Sequence, residues 1–215
     1  MKVGILGTGD VGRALGKGFI TLGHEVKLGG REATSEKAAA WAKEMGPQAS
    51  TGTFADTAAF GEIVVLSTPG NVYEAVLKAA GPERLSGKLL IDTTNPLEFA
   101  KGRPPRLSVG HTDSGGEQVQ RTVPGARVVK AFNIVGNESM FRPDFPGGPP
   151  DMLICGNDAD AKQRVTALLY DFGWPVVADV GGIESSRYLE ALCMTWVLYG
   201  AATGARNHAL KFLRK

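Results

Sequence analysis

Six residues, Gly7-Thr8-Gly9-Asp10-Val11-Gly12, have the types and spacing to hold a pyrophosphate. They read G-x-G-x-x-G. In such a turn the first glycine permits the tight bend, the second lets backbone approach the phosphates, and the third lets a helix pack on a strand. The free N–H groups and positive dipole end of the following helix favour the anion. Glycines at this spacing also occur in plain turns, so the flanks decide. Lys2 to Leu6, before the turn, is short and aliphatic. Val11, Leu15, Phe19 and Leu22, after it, recur at helical spacing. A strand-to-helix turn carrying a dinucleotide is expected.

Gly29-Gly30-Arg31 stands where an NAD site usually offers an acid to the adenosine ribose. A planar guanidinium suits a 2′-phosphate instead, or stacks on adenine. NADP(H) is therefore the expected dinucleotide, with Gly30 and Arg31 at its 2′-phosphate. The alternative makes Arg31 a solvated turn residue and gives the ribose to Glu32. Thr34 and Ser35 either cap the next helix or touch the same phosphate. Two more polar segments, Ser67-Thr68-Pro69-Gly70 and Asp92-Thr93-Thr94-Asn95-Pro96, each follow an apolar run. Ligands of a doubly wound sheet lie beyond the carboxyl ends of its strands. Ser67, Thr68, Pro69 and Asn95 are thus expected near ribose and nicotinamide, and Ala131, Phe132 and Asn133 at a further strand end. Asn133 either orients an acceptor or satisfies buried backbone. Asp92 reads as a buried acid satisfied by backbone rather than as a catalyst.

No side chain is assigned a catalytic role, and no metal site is expected. His24 falls in a turn, His111 in a loop and His208 near the C-terminus, so each reads as structural or solvated. Cys155 and Cys193 have neither zinc spacing nor a disulfide framework and read as small buried apolar residues. Hydride transfer needs no nucleophile, because the cofactors carry the chemistry while the protein supplies orientation and a dry site. Donor and acceptor carbons must approach to about 3–3.5 Å, which a planar acceptor achieves by lying flat on the nicotinamide.

The elements that must position these residues alternate between strand and helix. Apolar or β-branched runs at 2–6, 25–28, 51–54, 63–66, 88–91, 126–131, 152–155 and 175–180 read as strands. Helical spacing joins Ala38, Trp41, Ala42 and Met45, then Val72, Ala75, Val76 and Ala79, and later Ala161, Val165, Leu168, Leu169 and Phe172. A further short helix is expected over 117–123. The fold class that follows is α/β: a Rossmann-type, doubly wound, mostly parallel sheet of about eight strands with a small C-terminal helical lobe. Residues 1–181 are expected to form the NADP-binding Rossmann domain and 182–215 the helical lobe, on the dimer and acceptor side. Pro- and Gly-rich loops at 98–117 and 141–150 are expected to flank one crevice as a lid.

Charge and hydropathy narrow the partners. Twenty-four Lys and Arg against 22 Asp and Glu leave a formal net charge of +2 with no basic run, which argues against nucleic acid. The longest uncharged run, Ala191 to Ala205, contains Thr, Tyr and Gly and falls short of the ~20 residues of a membrane span. A first strand at residue 2 leaves no room for a signal peptide, so a cytoplasmic protein is expected. From Ala191 to Ala202 apolar groups run nearly all round one helix. So small a lobe cannot cover them, and a homodimer is expected to.

Four stretches together resemble the F420-dependent NADP oxidoreductase family: Gly7 to Gly12, Gly29-Gly30-Arg31, Ile154-Cys155-Gly156-Asn157-Asp158, and Gly182-Ile183-Glu184-Ser185-Ser186-Arg187-Tyr188-Leu189-Glu190. The resemblance runs over nearly the whole chain. It implies a dimer that moves hydride between NADP(H) and a deazaflavin, coenzyme F420, bound beside the nicotinamide. Val128 to Asn133 and Ile91 to Pro96 are more similar to the cytosolic NADPH-oxidising domain of the six-transmembrane ferric reductases, which passes hydride to a flavin. Deazaflavin-using members tend to carry histidine where this chain has Asn133 and threonine where it has Cys193. The acceptor thus stays open between F420 and a flavin such as FMN or FAD. Two other functions compete. One is an NADPH-dependent reductase of a small imine or carbonyl, although such enzymes use a larger helical domain than the short stretch after Gly181. The other is a non-enzymatic NADP-binding regulator.

Overall fold

The computed structural model describes residues 1–33, 35–99, 102, 104–205, 207–213 and 215. Thr34, a candidate cap or phosphate contact, lies outside them. The strands are β1 (Lys2–Leu6), β2 (Glu25–Gly30), β3 (Ala49–Thr53), β4 (Ile63–Leu66), β5 (Leu89–Asp92), β6 (Leu97–Glu98), β7 (Arg106–Leu107), β8 (Arg127–Lys130), β9 (Met152–Gly156) and β10 (Val177–Asp179). The helices are α1 (Asp10–Thr21), α2 (Glu36–Met45), α3 (Phe54–Phe60), α4 (Tyr73–Ala80), α5 (Pro82–Leu85), α6 (Gly115–Thr122), α7 (Ala159–Asp171) and α8 (Ser186–Thr203).

Eight strands form one sheet in the order β10-β9-β8-β5-β4-β1-β2-β3, and β6 pairs with β7 in a separate ribbon. From β3 to β8 the neighbours are parallel; β9 runs antiparallel to β8, and β10 parallel to β9. This is the expected Rossmann-type sheet, with one reversal near its edge. β4 and β5 are buried at every position, as strands covered on both faces should be; β4 is apolar throughout and β5 ends on the buried Asp92. Side chains alternate between two cores. Val3, Ile5, Ile63 and Val65 join Phe19, Trp41 and Phe172 on one face, while Leu6, Val64 and Leu66 join Leu77 and Val119 on the other.

Several elements differ from expectation. The strand expected over 51–54 is β3, which ends at Thr53. There Thr53 Oγ1 accepts from Asp56 N at 3.1 Å and Asp56 Oδ2 accepts from Thr53 N at 3.0 Å. This reciprocal cap starts α3, a helix too short to show periodicity. The 98–117 stretch holds the β6–β7 ribbon and the start of α6. β8 stops at Lys130, before Phe132 takes a left-handed φ of 62°. Residues 141–150 do not line the main cleft, and their start is anchored elsewhere: Phe141 packs edge-on to Phe172 at 5.3 Å, and Arg142 N donates to Phe172 O at 2.7 Å.

The last helix, α8, buries Ser186, Leu189, Glu190 and Cys193. Farther along, Leu198 and Tyr199 are 49% and 55% exposed. Gly204, at φ 70°, ends the helix in the left-handed conformation that glycine adopts without strain. The tail then folds back. His208 stacks on Trp196 at 4.5 Å, and Trp196 Nε1 donates to His208 O at 2.9 Å, so this histidine is structural. Among the described residues no helix is long and apolar enough to cross a membrane.

Candidate functional site

The glycine turn joins β1 to α1, and each glycine is needed for a different reason. At Gly7, with φ 136°, a Cβ would stand 2.4 Å from Ser67 O. At Gly12 a Cβ would stand 2.5 Å from Gly7 O, so helix and turn touch backbone to backbone. At Gly9 a Cβ would meet nothing within 4 Å, which leaves open space over the backbone. Gly9 caps α1 without any side-chain bond, and Arg13 N, donating to Gly9 O at 3.0 Å, is the first amide satisfied within the helix. The amides of the first turn are left for an anion. The turn therefore fits a pyrophosphate. Ser67 buttresses it, with its N–H and hydroxyl both donating to Leu6 O, at 2.9 and 3.3 Å.

A cleft of about 910 Å³ opens beside this turn. Gly9, Asp10 and Val11 form one wall. Ser67, Thr68, Pro69, Gly70 and Asn71 line it beyond β4, and Thr93, Thr94 and Asn95 beyond β5. Leu97, Glu98, Phe99 and Ser108 of the ribbon face it from the outer side. β1 lies between β2 and β4, where the strand order reverses, so the cleft occupies the switch point of the sheet. Thr68 Oγ1 is buried there and has no partner among the described residues. The loops after β4 and β5 are locked together: at residue 70 a Cβ would fall 1.8 Å from Asn95 O, so only glycine fits.

The other sequence-predicted residues fall in two groups. Gly30 and Arg31 continue past the glycine turn, where the Thr8 methyl lies 3.6 Å from the Cβ position of Gly30. Arg31 is exposed and pairs with no carboxylate among the described residues. Ser35 is a helix cap, its Oγ accepting from Ala38 N at 3.2 Å. Ala131, Phe132 and Asn133 are buried behind the cleft and do not line it. Phe132 fills the core against Phe172 and Trp174. Asn133 Nδ2 donates to Asn95 Oδ1 at 2.9 Å and to Leu189 O at 3.0 Å. Asn95 is thus the member of the pair that reaches the cleft.

A buried ion cluster behind the same wall was not foreseen as a unit. Lys130 Nζ lies 2.8 Å from Asp92 Oδ2 and 3.0 Å from Glu190 Oε1, all three side chains being essentially inaccessible. Burial alone would lower the lysine pKa. The carboxylates of Asp92 and Glu190 outweigh it and hold the value above the ordinary one. Asp92 is satisfied by backbone at one oxygen only: Oδ1 accepts from Thr94 N at 2.9 Å, while Oδ2 faces the Lys130 ammonium. In the sequence Asp92 reads only as a buried acid at a strand end, and its partner Lys130 as a single charge within the apolar run Val128-Val129-Lys130-Ala131. Both cysteines are buried and unpaired. Burial pushes the Cys155 thiol up to about 11 and that of Cys193 up to about 12, which keeps them protonated and unreactive.

Comparisons with known proteins agree with this geometry. A family model described as NADP oxidoreductase, coenzyme F420-dependent, matches residues 2–96. The chain is 34% identical over 203 residues to the F420-dependent NADP reductase of Methanocaldococcus jannaschii, covering 89% of each. It is 30% identical over 203 residues to metalloreductase STEAP3 of Rattus norvegicus, covering 89% of this chain but 36% of that protein, so it spans about a third of that relative's length. The crystal structure of a putative F420-dependent NADP reductase from Arthrobacter sp. FB24 superposes with a TM-score of 0.94, at 41% identity and over the whole of both chains.

Proposed function

This chain belongs to the F420-dependent NADP oxidoreductase family, and from that premise we propose that it passes hydride between NADP(H) and coenzyme F420 or a flavin. It is an NADP(H)-dependent oxidoreductase; the proposed part is the acceptor. The observation that carries the proposal is the shared cleft, with the glycine turn on one wall and Thr68, Pro69 and Asn95 on another. The first-turn amides of α1 and the open backbone at Gly9 would hold the pyrophosphate. Thr8, Gly30 and Arg31 would hold the 2′-phosphate, and Thr68, Pro69 and Asn95 would border the nicotinamide. The bound nicotinamide supplies the carbon that gives or takes hydride. The chain binds, orients and dries the site, with Leu97 and Phe99 as apolar cover.

Two positions where deazaflavin-using members tend to differ, Asn133 and Cys193, both contact Leu189 of α8. Asn133 donates to Leu189 O, and Cys193 packs with Leu189. Asn133 would influence the acceptor through Asn95, from behind the wall. The proposal also includes a homodimer through α8, supported by the exposure of Tyr188, Leu198 and Tyr199. It assigns the dinucleotide to residues 1–181 and the acceptor and subunit contacts to 182–215. A cytoplasmic setting is supported by the two free thiols.

The test mixes protein and NADPH with F420, then FMN, then FAD, and follows loss of reduced-nicotinamide absorbance. Turnover with F420 alone selects the deazaflavin; turnover with a flavin selects the other acceptor. Rapid reduction of a small imine or ketone, with neither tricyclic acceptor working, would overturn the proposal.

A further inference from the structure

The buried cluster touches the cleft at one peptide. Lys130 Nζ donates to Thr94 O at 2.8 Å, while Asp92 Oδ1 accepts from Thr94 N at 2.9 Å and from Thr94 Oγ1 at 2.7 Å. Both backbone polar groups of Thr94 are therefore held from inside the protein. Thr94 lines the cleft and is followed by Asn95. On the far side of the cluster, Glu190 Oε2 accepts from Gly115 N and Oε1 from Gly116 N, each at 3.0 Å. Glu190 thus satisfies two first-turn amides of α6 while it pairs with the lysine. Gly116 is required for this approach, since a Cβ there would fall 2.2 Å from Ser186 Oγ and 2.9 Å from Lys130 Cε. The cluster holds two carboxylates and one ammonium. Its negative balance is felt by Tyr73, whose hydroxyl is pushed up to about 12 by burial first and then by the Glu190 and Asp92 charges.

We infer that Lys130 and Glu190 are positioning residues for hydride transfer: through the ammonium, α8 fixes the Thr94–Asn95 backbone that forms the nicotinamide end of the cleft. The inference rests on the proposed placement of the nicotinamide beside Asn95. Neither side chain touches the cleft, so neither acts as acid or base there. A salt bridge with two backbone clamps has a narrower geometry than packing alone, because each donor and acceptor must be met in the water-free interior. Loss of the clamp should loosen one segment of the wall and leave the phosphate end intact.

Glu190→Gln in the full chain is the deciding variant. It preserves volume, but its amide NH2 must face either Lys130 or one of the α6 amides, donor against donor. Hydrogen–deuterium exchange of the cofactor-free protein should rise about tenfold or more over 93–97, with β1 and α1 unchanged. NADPH affinity should stay within about threefold, while single-turnover transfer to whichever acceptor the unaltered protein uses should fall at least tenfold. The double variant Lys130→Met with Glu190→Gln keeps the net charge of the cluster and removes the clamp. Its transfer rate should remain low even where its melting temperature recovers. Unchanged exchange over 93–97 in Glu190→Gln, or rates that simply track melting temperature, would overturn the inference. The exchange result stands whether or not F420 or flavin is the acceptor, so failure of the proposed acceptor and failure of the clamp are separately visible.

Discussion

Asn95 and Asn133 hold each other twice. The Asn133 side-chain amide donates to Asn95 Oδ1, and the Asn95 side-chain amide donates back to the Asn133 carbonyl, both at 2.9 Å. The pair ties the end of β5 to the turn after β8, and its third bond, from Asn133 Nδ2 to Leu189 O, ties both to α8. Asn133→Ala removes the donor from one buried acceptor, Leu189 O, and from the half-buried Asn95 Oδ1, and an unsatisfied buried group costs about 1–3 kcal/mol. The melting temperature should fall, and hydride transfer should slow more than NADPH binding weakens. Asn133→Asp should be worse than alanine, because a carboxylate would face two carbonyl-type oxygens. Calorimetry and stopped-flow rates check this; an alanine variant matching the unaltered protein in both would remove the role.

Arg31 should confer preference for NADPH over NADH. It stands exposed after Gly30, close to the Thr8 side of the turn, and no protein carboxylate competes for it among the described residues. A charge-assisted bond to phosphate contributes roughly 1.5–3 kcal/mol, or about ten- to a hundredfold in affinity. Arg31→Glu should abolish the preference by setting like charges together. Titration calorimetry showing equal affinity for both cofactors in the unaltered protein would contradict this.

Leu198→Asp should weaken self-association without disturbing the fold. Leu198 is 49% exposed on α8, whereas Trp196 is held by His208, so a charge at Trp196 would break the tail as well. Sedimentation at micromolar concentration should show dimer for the unaltered protein and monomer for the variant. A stable monomer before any substitution would rule the dimer out.

Asp113 and Arg121 set part of the acid limb of stability. The Asp113 carboxyl is held down to about 2, first by the Arg121 bonds at 3.0 and 2.8 Å, against burial, and then by Gln118 and the Ser114 amide. A folded value below the unfolded one stabilises fully above about pH 4 and loses that contribution as pH falls toward 2. Arg121 is well exposed, so solvent screening keeps the effect small. Arg121→Gln should melt below the unaltered protein at neutral pH, with the difference narrowing across that acid range. A constant offset in melts taken across that range would count against it.

What was legible in the sequence was local. The glycine turn is six consecutive residues with a strand and a helix attached, and β4 is an uninterrupted apolar run. The helix start at Thr53-Phe54-Ala55-Asp56 reads in the sequence as the end of a strand, because α3 is too short for an apolar stripe to mark it. For the 141–150 loop, Pro and Gly content marks a loop without saying where its aromatic residue docks; Phe141 goes to Phe172. Asn133 could not be resolved between two roles, since its partners Asn95 and Leu189 lie far away in the chain. The Lys130 cluster has the same character. Its three members come from β5, β8 and α8, and no spacing rule connects them.

That cluster also constrains how the chain can diverge. Removing Lys130 alone strands two carboxylates in the interior, and removing either acid alone strips the ammonium of a partner and leaves buried backbone amides without an acceptor. Each single step passes through a destabilised protein, and a joint exchange of all three for apolar residues removes the charges but leaves the Thr94, Gly115 and Gly116 amides without their acceptors. Positions 92, 130 and 190 should therefore be kept as a set, and a library randomising one of them in isolation should return mainly the residue it started with.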